Sequence, residues 1–325
     1  MERYVAKTSG RTRGRRAAAR LAAAAAAAAL VGTGASAFAA DNPNPSAKAS
    51  VKAAAAKAAA HAAAKGAKHG VTKADGDPNG AYPVFSLIGV DRSGNSYAYL
   101  PDYEGGFSPK MQIDEGQGGL KNGAQVDNDA DGVADGIWKW NTQGTMTYEP
   151  YVELETTTVG GGWNIYNTLL SPGNLGGAGA GDLLGRDSSG NLYLYLGYGN
   201  GKLTSRYLVG GGWGQYTALA GNGDLTGDGK ADIVARGGDG TLWLYKGTGN
   251  YKAPFEGRTK IGGGWNTYNA LVSSGDVDLD GTTDLLGRDA AGALYLYKGT
   301  GSAAAPYKPR VKIGNGGWNT YRLMF

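Results

Sequence analysis

Residues 262–297 read GGGWNTYNALVSSGDVDLDGTTDLLGRDAAGALYLY, and this stretch decides the fold. It contains three short apolar or alternating segments, which begin at Trp265, Asp284 and Leu294. Glycine, aspartate and serine separate them. Short runs rich in aromatic and aliphatic side chains, bounded by turn-forming residues, are typical of β-strands. The stretch therefore predicts antiparallel strands joined by tight turns.

The same segments recur along the chain with a period near 50 residues. Two fainter copies precede them, one at 87–100 and one at 136–140. A fourth strand per unit is predicted at segments such as 310–313, which gives five units of four strands. Repeats of this length with four antiparallel strands are typical of propeller blades. We predict an all-β fold, a single propeller with five four-stranded blades. The repeated tryptophans, which are 50, 52 and 53 residues apart, are Trp163, Trp213, Trp265 and Trp318.

The two ends of the repeat region lack complementary strands. The last unit, at 318–325, has a first strand and no second strand, and the unit that begins at Phe85 has no first strand. We expect the C-terminal strand to complete the first blade. Closure of this kind leaves the sheets of the ring without an unpaired inner edge.

The composition excludes several kinds of catalytic site. The 325 residues include no cysteine, and the two histidines, His61 and His69, lie in an Ala/Lys-rich tract. Disulfides, thiolate zinc sites and thiol nucleophiles are therefore absent from the sequence. A serine nucleophile in the repeat region also has no histidine there to act as its base.

Charge is distributed unevenly along the chain. Residues 1–39 carry seven basic and one acidic residue (+6), and residues 40–80 carry six and three (+3). Residues 81–325 carry 19 basic and 24 acidic residues (−5), so the three segments sum to the net charge of +4. An acidic repeat region argues against nucleic acid as the partner and favours bound cations.

The sequence predicts three regions. Residues 1–39 have the pattern of a secretory signal peptide, with a basic start, an apolar run over 21–31 and a small-x-small site before Ala40. General secretory and twin-arginine export both remain open. Residues 40–80 are an Ala/Lys-rich low-complexity linker, and residues 81–325 form the propeller. We expect a secreted, extracellular bacterial protein with no transmembrane span after signal removal.

A repeated acidic motif precedes the second strand of several units. Residues 127–135 and 276–284 both fit D-x-D-x-D-G-x-x-D, and residues 224–232 fit it with Thr at the third position. Side-chain oxygens at the odd positions and the seventh carbonyl form a ligand set that suits Ca²⁺. Acidic turns with Asx hydrogen bonds are the alternative. We predict about three structural Ca²⁺ sites and none at 174–182, which lacks the first three carboxylates. The expected ligands are Asp127, Asp129, Asp131, Val133, Asp135, Asp224, Thr226, Asp228, Lys230, Asp232, Asp276, Asp278, Asp280, Thr282 and Asp284.

The acidic loop, followed by DLLGRD at 284–289 and LYLY at 294–297, resembles the FG-GAP/VCBS-type repeats of integrin α-chains and secreted bacterial proteins. The resemblance covers residues 82–325. It implies a β-propeller with Ca²⁺ in loops between strands, and it implies no particular ligand. The Phe-Gly pair of integrin repeats is absent.

Two shorter stretches, 261–268 and 313–319, look like the repeats of tachylectin-2-type five-bladed lectins. That likeness implies one glycan site per blade, lined by aromatic and amide side chains. Packing between blades is the alternative role of the tryptophans. The candidate ligand-binding residues are Trp163, Asn164, Tyr166, Trp213, Tyr216, Trp265, Asn266, Tyr268, Trp318, Asn319 and Tyr321.

These patterns predict a non-catalytic binding module for an extracellular glycan or cell-wall polymer. A surface scaffold or adhesin that binds protein is the first alternative. The second is a hydrolase that uses paired carboxylates from Glu149, Glu153 and Glu155. Three arginines recur at one blade position, either around a common ring or in salt bridges to the neighbouring aspartates. They are Arg186, Arg236 and Arg288.

Overall fold

A computed structural model describes residues 83–152 and 155–325. The predicted signal peptide, the predicted linker and Glu153 lie outside the described residues. The strands are β1 (Leu87–Asp91), β2 (Ser96–Tyr99), β3 (Met111–Asp114), β4 (Leu120–Val126), β5 (Gly136–Asn141), β6 (Met146–Pro150), β7 (Thr157–Gly160), β8 (Tyr166–Gly173), β9 (Asp182–Asp187) and β10 (Leu192–Tyr195). They continue with β11 (Tyr207–Gly210), β12 (Tyr216–Ala220), β13 (Ile233–Gly237), β14 (Leu242–Tyr245), β15 (Thr259–Gly262), β16 (Tyr268–Val272), β17 (Leu285–Asp289), β18 (Leu294–Tyr297), β19 (Val311–Gly314) and β20 (Tyr321–Met324).

The strands form five four-stranded antiparallel sheets, which are the blades of a five-bladed β-propeller. Blade 1 has the strand order β20-β1-β2-β3, and blades 2 to 5 follow as β4–β7, β8–β11, β12–β15 and β16–β19. The first strands β4, β8, β12 and β16 approach one another, so they are the inner strands of the ring. The predicted fold and blade count are confirmed.

The C-terminal strand closes the ring. β20 pairs antiparallel with β1, with Gly89 opposite Met324 and Val90 opposite Leu323. The Ile88 and Phe325 backbones exchange two hydrogen bonds of 2.8 and 3.0 Å. The first blade is thus built from both ends of the repeat region, as the incomplete first and last units predict.

A hydrophobic cluster fills each of the five spaces between adjacent blades. Between blades 2 and 3, Trp138 and Met146 pack with Trp163 and Leu183. Between blades 1 and 2, Ile88 packs with Ile137 and Tyr151 in the corresponding cluster. Because each blade buries both faces against its neighbours, the packing is continuous around the ring.

Each repeated tryptophan begins a single turn of 3₁₀ helix, and the strand begins three residues later at a tyrosine. The prediction that the strand includes the tryptophan is wrong. The cause is the glycine before it: Gly162, for example, has φ 83°, a left-handed conformation that ends the extended chain. The Trp163 amide then donates to the Gly144 carbonyl in the hairpin of the preceding blade, at 2.9 Å.

Arginine side chains fasten each blade to the next. Arg186 in blade 3 donates to the Trp213 and Tyr216 carbonyls of blade 4, and Arg288 in blade 5 donates to the equivalent carbonyls of blade 1. These hydrogen bonds go to backbone carbonyls, which neither sequence-based interpretation anticipated. Cations on the first strands do the same for blades 1 and 2, where the second strands carry no arginine. They are Arg322, which donates to Leu120, and Lys121, which donates to Tyr166.

Candidate functional site

The acidic loops join the first and second strands of blades 2, 4 and 5, so they lie at one end of the ring. In blades 4 and 5 the ninth loop position holds a buried aspartate whose carboxylate accepts backbone N–H groups from its own loop and from the segment that follows the third strand, whereas Asp135 of blade 2 is half-buried and accepts the Asn128 amide of its own loop. Asp284, for example, accepts from Val277 at 2.9 Å and from Gly299 at 2.8 Å. Asp232 makes the equivalent bonds in blade 4. Burial raises the pKa of Asp232 to about 7 and that of Asp284 well above its usual value.

In blade 2, the loop gathers three of the predicted ligands. One carboxylate oxygen each of Asp127, Asp129 and Asp135 lies within 4.8 Å of the other two. The Asp127 carboxylate accepts the Ala130 and Gly132 amides at 2.8 Å. Burial, with the nearby charges of Asp131 and Asp135, raises the pKa of Asp127 to about 7. A cation bound here would offset that repulsion and desolvation.

In blade 5, the corresponding cluster is fully buried. It consists of Asp276, Asp278 and Asp284, again with oxygens within 4.8 Å of one another. Burial and the charges of its neighbours raise the pKa of Asp276 to about 7. Lys298 Nζ lies 2.6 Å from an Asp278 oxygen, and Lys308 Nζ lies 2.8 Å from Asp280. Two ammonium groups therefore neutralise part of the charge that a cation would bind.

In blade 4, Thr226 replaces the carboxylate of the third position, and the loop holds no cluster of three carboxylates. Asp224 accepts the amides of the fourth and sixth positions, as Asp127 does in blade 2, from Gly227 and Gly229 at 2.7 Å. Thr226 Oγ1 is buried without a well-formed hydrogen bond, although it lies close enough to Asp232 to interact weakly. A buried hydroxyl oxygen without a full partner fits a cation ligand.

The fifth and seventh loop positions contact each other. The Val133 amide donates to Asp131, and the Lys230 amide donates to Asp228, at 2.9 and 3.2 Å. The Thr282 hydroxyl donates to Asp280 at 2.5 Å. The aspartate at the fifth loop position thus lies next to the residue at the seventh position, whose backbone carbonyl is a predicted ligand.

The loop of blade 3, residues 174–182, keeps the shape without the acids. Asp182 accepts the Leu175 and Gly197 amides at 2.9 and 3.0 Å, as Asp284 does in blade 5. Leu196 lies against Gly176 at the place where blades 4 and 5 have a lysine. The expectation that this loop holds no metal stays a prediction.

The predicted ligand-binding aromatics pack between blades. Trp163, Trp213 and Trp265 are each 7% exposed, and Trp318 is half-buried. Each contacts a tyrosine of its own blade, as Trp163 does with Tyr195 at 4.9 Å between ring centroids. The tyrosines that follow them are buried, whereas Asn164 and Asn266 are exposed and Asn319 is half-buried. A role of these residues in ligand binding stays a prediction. The buried tyrosines are Tyr166, Tyr216, Tyr268 and Tyr321.

A second set of aromatics, which sequence reasoning missed, is partly exposed at the perimeter. Each lies on the third strand of its blade, and a cation from just before the fourth strand stacks on its ring. In blade 4, the Arg258 guanidinium lies 4.1 Å from the Trp243 ring centroid. The recurrence of arginine every 52 residues before the fourth strand was the available signal. The other pairs are Arg206 on Tyr193 (4.4 Å), Arg310 on Tyr295 (4.6 Å) and Lys110 on Tyr97 (4.4 Å).

Blade 2 has no such pair, because Thr147 and Thr156 take the two positions. The candidate hydrolytic carboxylates also belong to this blade. Glu149 is ion-paired with Lys139 at 2.8 Å, and Lys139 also contacts Asp114 at 2.7 Å. Glu155 is exposed. Glu149 is therefore engaged in an ion-pair network rather than held ready as an acid or base.

No helix among the described residues is long and apolar enough to cross a membrane.

No curated protein sequence matches the chain. Among solved structures, the chain is similar to the BP39L lectin of Burkholderia pseudomallei, with 13% identity, coverage of 70% of this chain and 69% of that one, and a TM-score of 0.45. It is also similar to a mutant of AofleA from Arthrobotrys oligospora (10%, 73% and 73%, 0.43).

A third similar structure is the periplasmic gluconolactonase PpgL of Pseudomonas aeruginosa, with 14% identity, coverage of 72% of this chain and 67% of that one, and a TM-score of 0.37. Similarity at this level carries no information about the ligand. The sequence itself matches the family of FG-GAP-like repeats over residues 224–287, from the acidic loop of blade 4 into β17. This stretch of the propeller is therefore similar to an FG-GAP-like repeat, in agreement with the resemblance of the acidic loops.

Proposed function

We propose that the chain is an exported, calcium-stabilised propeller that acts as a non-catalytic binding module for an extracellular glycan or cell-surface polymer. The observation that carries the proposal is the recurrence of partly exposed aromatic rings with stacked cations in four of the five blades. Because the cation lies over one face of each ring, a sugar would contact the exposed part of the ring and the cation, which donates hydrogen bonds to sugar oxygens. We call these four places the perimeter clefts.

Repetition of the clefts favours a polymer as the ligand. Equivalent sites recur around one rigid ring, so a chain of repeated sugar units can occupy several of them together. Each additional contact is then intramolecular, which raises the overall affinity well above that of one cleft. A small soluble sugar gains nothing from such an arrangement.

Calcium is assigned a structural role in this proposal. The three acidic loops lie at the end of the ring, away from the third-strand aromatics that form the clefts, and they connect strands within single blades. Extracellular calcium modules bind with a Kd of roughly 10⁻⁴ to 10⁻³ M, so the ions would be bound outside the cell. Loops held by ions would fix the inner strands on which the blades are built.

The test is binding of the full chain to insoluble bacterial cell wall and to an array of polysaccharides. We expect retention on at least one polymer, and a loss of at least about tenfold in affinity when Tyr193, Trp243 and Tyr295 are all changed to alanine. Thr147→Ala in blade 2 is the matched control and should leave binding unchanged. Failure to bind any polysaccharide, or equal binding by the triple variant, would contradict the proposal.

A second candidate function, binding of a protein, is favoured by the outer edge of blade 3. On β11 the side chains of Tyr207 and Leu208 are 39% and 63% exposed, whereas β15 and β19 carry Lys260 and Lys312 at the position of Leu208. Lysine protects an exposed strand edge from pairing, and blade 3 lacks this protection. Leu208→Lys should abolish binding of a protein partner, while glycan binding should persist through the clefts of blades 1, 4 and 5, since Leu208 lies opposite Tyr193 of the blade 3 cleft only.

A further inference from the structure

We propose that the perimeter clefts of blades 3, 4 and 5 recognise sugar units that carry a carboxylate, so that the ligand is an acidic polysaccharide. This inference rests on the proposed function and specifies the chemistry of its ligand. It comes from the state of three arginines, Arg206, Arg258 and Arg310, which are all exposed on the surface of the ring.

Each of these guanidinium groups is fixed in place by its own blade. Its face lies on the aromatic ring of the third strand, and its Nη1 donates to the hydroxyl of a buried tyrosine. In blade 5 this bond joins Arg310 to Tyr268 at 2.7 Å. In blade 4, Arg258 Nη1 donates to Tyr216 at 2.5 Å and to Gln215 at 3.1 Å. The head group is thus pre-oriented, which lowers the entropy lost when a ligand binds.

The rest of each guanidinium is left for a ligand. The hydrogen bonds of these three guanidinium groups within the described part of the chain start from Nη1, a second tyrosine hydroxyl (Tyr195, Tyr245 or Tyr297) lies close to each group, and no carboxylate is ion-paired with them. The structural arginines differ. Arg186 donates from Nε to Asn167, from Nη1 to two carbonyls and from Nη2 to Thr168. The perimeter arginines, like the exposed Arg92, donate only from Nη1 within the described residues, so Nε and Nη2 form an adjacent pair of donors that a ligand can use.

Two parallel N–H donors with uncompensated charge match the two oxygens of a carboxylate. A neutral hydroxyl can accept only one of them and leaves the charge unmatched. The propeller region is acidic overall, at −5, so long-range attraction does not draw polyanions to it. Three bound Ca²⁺ would bring this charge close to zero, so a preference for an acidic sugar is expected from groups at the clefts: the donor pair in all three blades, and Lys260 and Lys312 opposite the rings of blades 4 and 5.

The blades differ in how well they suit an anion. In blade 3 a carboxylate oxygen of Asp187 lies 3.4 Å from the Tyr193 hydroxyl, and Asp289 stands in the same place in blade 5. Blade 4 has Gly237 at that position, but the Asp239 carboxylate takes the place of the missing side chain, with its Oδ1 2.7 Å from where a Cβ at 237 would lie. What distinguishes blade 4 is the tryptophan below the guanidinium, which is the strongest ring for stacking a cation. We infer that the Arg258 cleft is the tightest of the three, and that Lys110 of blade 1, a point charge without a fork, contributes least.

The experiment compares a trigalacturonate with its methyl ester, which has the same sugars without the charge, by calorimetric titration of the full chain. We expect the acid to bind at least about tenfold more tightly than the ester. Changing Arg206, Arg258 and Arg310 together to glutamine should remove this preference; the lost ring contacts and tyrosine hydrogen bonds lower the melting temperature, and a single cooperative melting transition above the titration temperature shows that the variant is folded. The same three changes to lysine keep the charge but lose the fork, and should also remove most of it. Lys202→Gln, a charge loss outside the clefts, is the matched control.

Each result supports or overturns the inference. Equal binding of acid and ester leaves the proposed function standing and overturns the carboxylate. Equal competition by a sulfated oligosaccharide would also overturn the specificity for a carboxylate. So would a glutamine variant that still prefers the acid, which is the result expected if calcium in the acidic loops bridged protein and ligand. If neither saccharide nor any polymer on the array binds, the proposed function fails as well.

Discussion

The loops of blades 3 and 5 have the same backbone shape and opposite chemistry. Residues 174–182 and 276–284 both hold a buried aspartate at the ninth position that accepts equivalent amides. Both have a left-handed residue at the fourth position, Gly177 with φ 83° and Leu279 with φ 57°. Only the second loop has carboxylates at positions one, three and five. The loop shape therefore does not require carboxylates at positions one, three and five: Asp182 and Asp284 are common to both loops, and the amide oxygen of Asn174 accepts a loop amide as the Asp276 carboxylate does.

This comparison separates two roles that one motif combines. The ninth aspartate and an oxygen side chain at the first position, Asn174 or Asp276, organise the loop, and carboxylates at the first, third and fifth positions add a place for a cation. The blade 5 loop has two features that the blade 3 loop lacks. Leu279 has a left-handed backbone conformation, which costs about 1 kcal/mol for a residue other than glycine, and two lysines form ion pairs with the loop aspartates. Such costs are understandable if a bound ion offsets them.

Removal of calcium should have the largest effect. At about ten times Kd each of three sites adds roughly 1.4 kcal/mol, so the sum is about 4 kcal/mol. For a domain of this size, that corresponds to a fall in melting temperature of about 10 °C in excess chelator. Calorimetric scans of the full chain with calcium and with chelator measure it. Magnesium added in place of calcium is the control, and identical scans would contradict the structural role.

Alanine substitution at the ninth position should cost nearly as much. Asp182→Ala leaves the buried amides of Leu175, Gly176 and Gly197 without their acceptor, and we expect a loss of about 3 kcal/mol in the free energy of unfolding. The loss should be the same with and without calcium. Asp284→Ala should cost more with calcium than without it, because the same change also removes a ligand. Equal dependence on calcium in the two variants, measured by denaturant titration, would remove the distinction between the loops.

The pH dependence of Asp182 offers a test within the loop that lacks the other acids. Burial raises the pKa of Asp182 to about 6, above the value near 4 of the unfolded chain. Between these values the folded protein retains a proton that the unfolded chain has lost, so the contribution to stability falls as pH rises from about 4 to 6. We expect wild type to lose about 2 kcal/mol relative to Asp182→Asn over this window. A difference between the two proteins that does not change with pH would contradict it.

Transfer of the acids into blade 3 should have the smallest effect. The changes Asn174→Asp, Gly176→Asp and Ala178→Asp restore the missing carboxylates. Leu196→Lys must accompany them, because a side chain at 176 would meet Leu196 Cδ2 at 2.3 Å. We expect one additional calcium ion and a gain of roughly 1.4 kcal/mol in calcium. The variant with Leu196→Lys alone is the control and should bind no additional ion.

Much of the fold can be predicted from the sequence, because every blade of a propeller is built from the same repeated segments. The period near 50 fixed the number of blades, and the unpaired segments at Phe85 and at 318–325 indicated the closing strand. The sequence wrongly places the tryptophan in the strand, because an apolar residue before an alternating segment looks like part of that segment. The left-handed glycine before it, at Gly162, can be recognised only from the backbone.

The sites were predictable to different degrees. The acidic loops have a local spacing that the sequence shows directly. The hydrogen bonds of Arg322 and Lys121 to the next blade cannot be predicted in this way, because their acceptors are backbone carbonyls, which any residue supplies. The perimeter clefts lie between these cases. Arg258 and Trp243 are 15 residues apart, separated by a loop, and only the antiparallel pairing of β14 with β15 brings them together.

The number of calcium ions bound by the full chain tests the central claim most directly. Titration calorimetry after removal of metal should give three ions per chain, and two ions for a variant that combines Asp276→Asn with Asp278→Asn. Asn174→Ala in blade 3 should leave the count at three. No calcium binding in the wild type, or an unchanged count in the blade 5 variant, would contradict the account of a propeller whose acidic loops are cation sites.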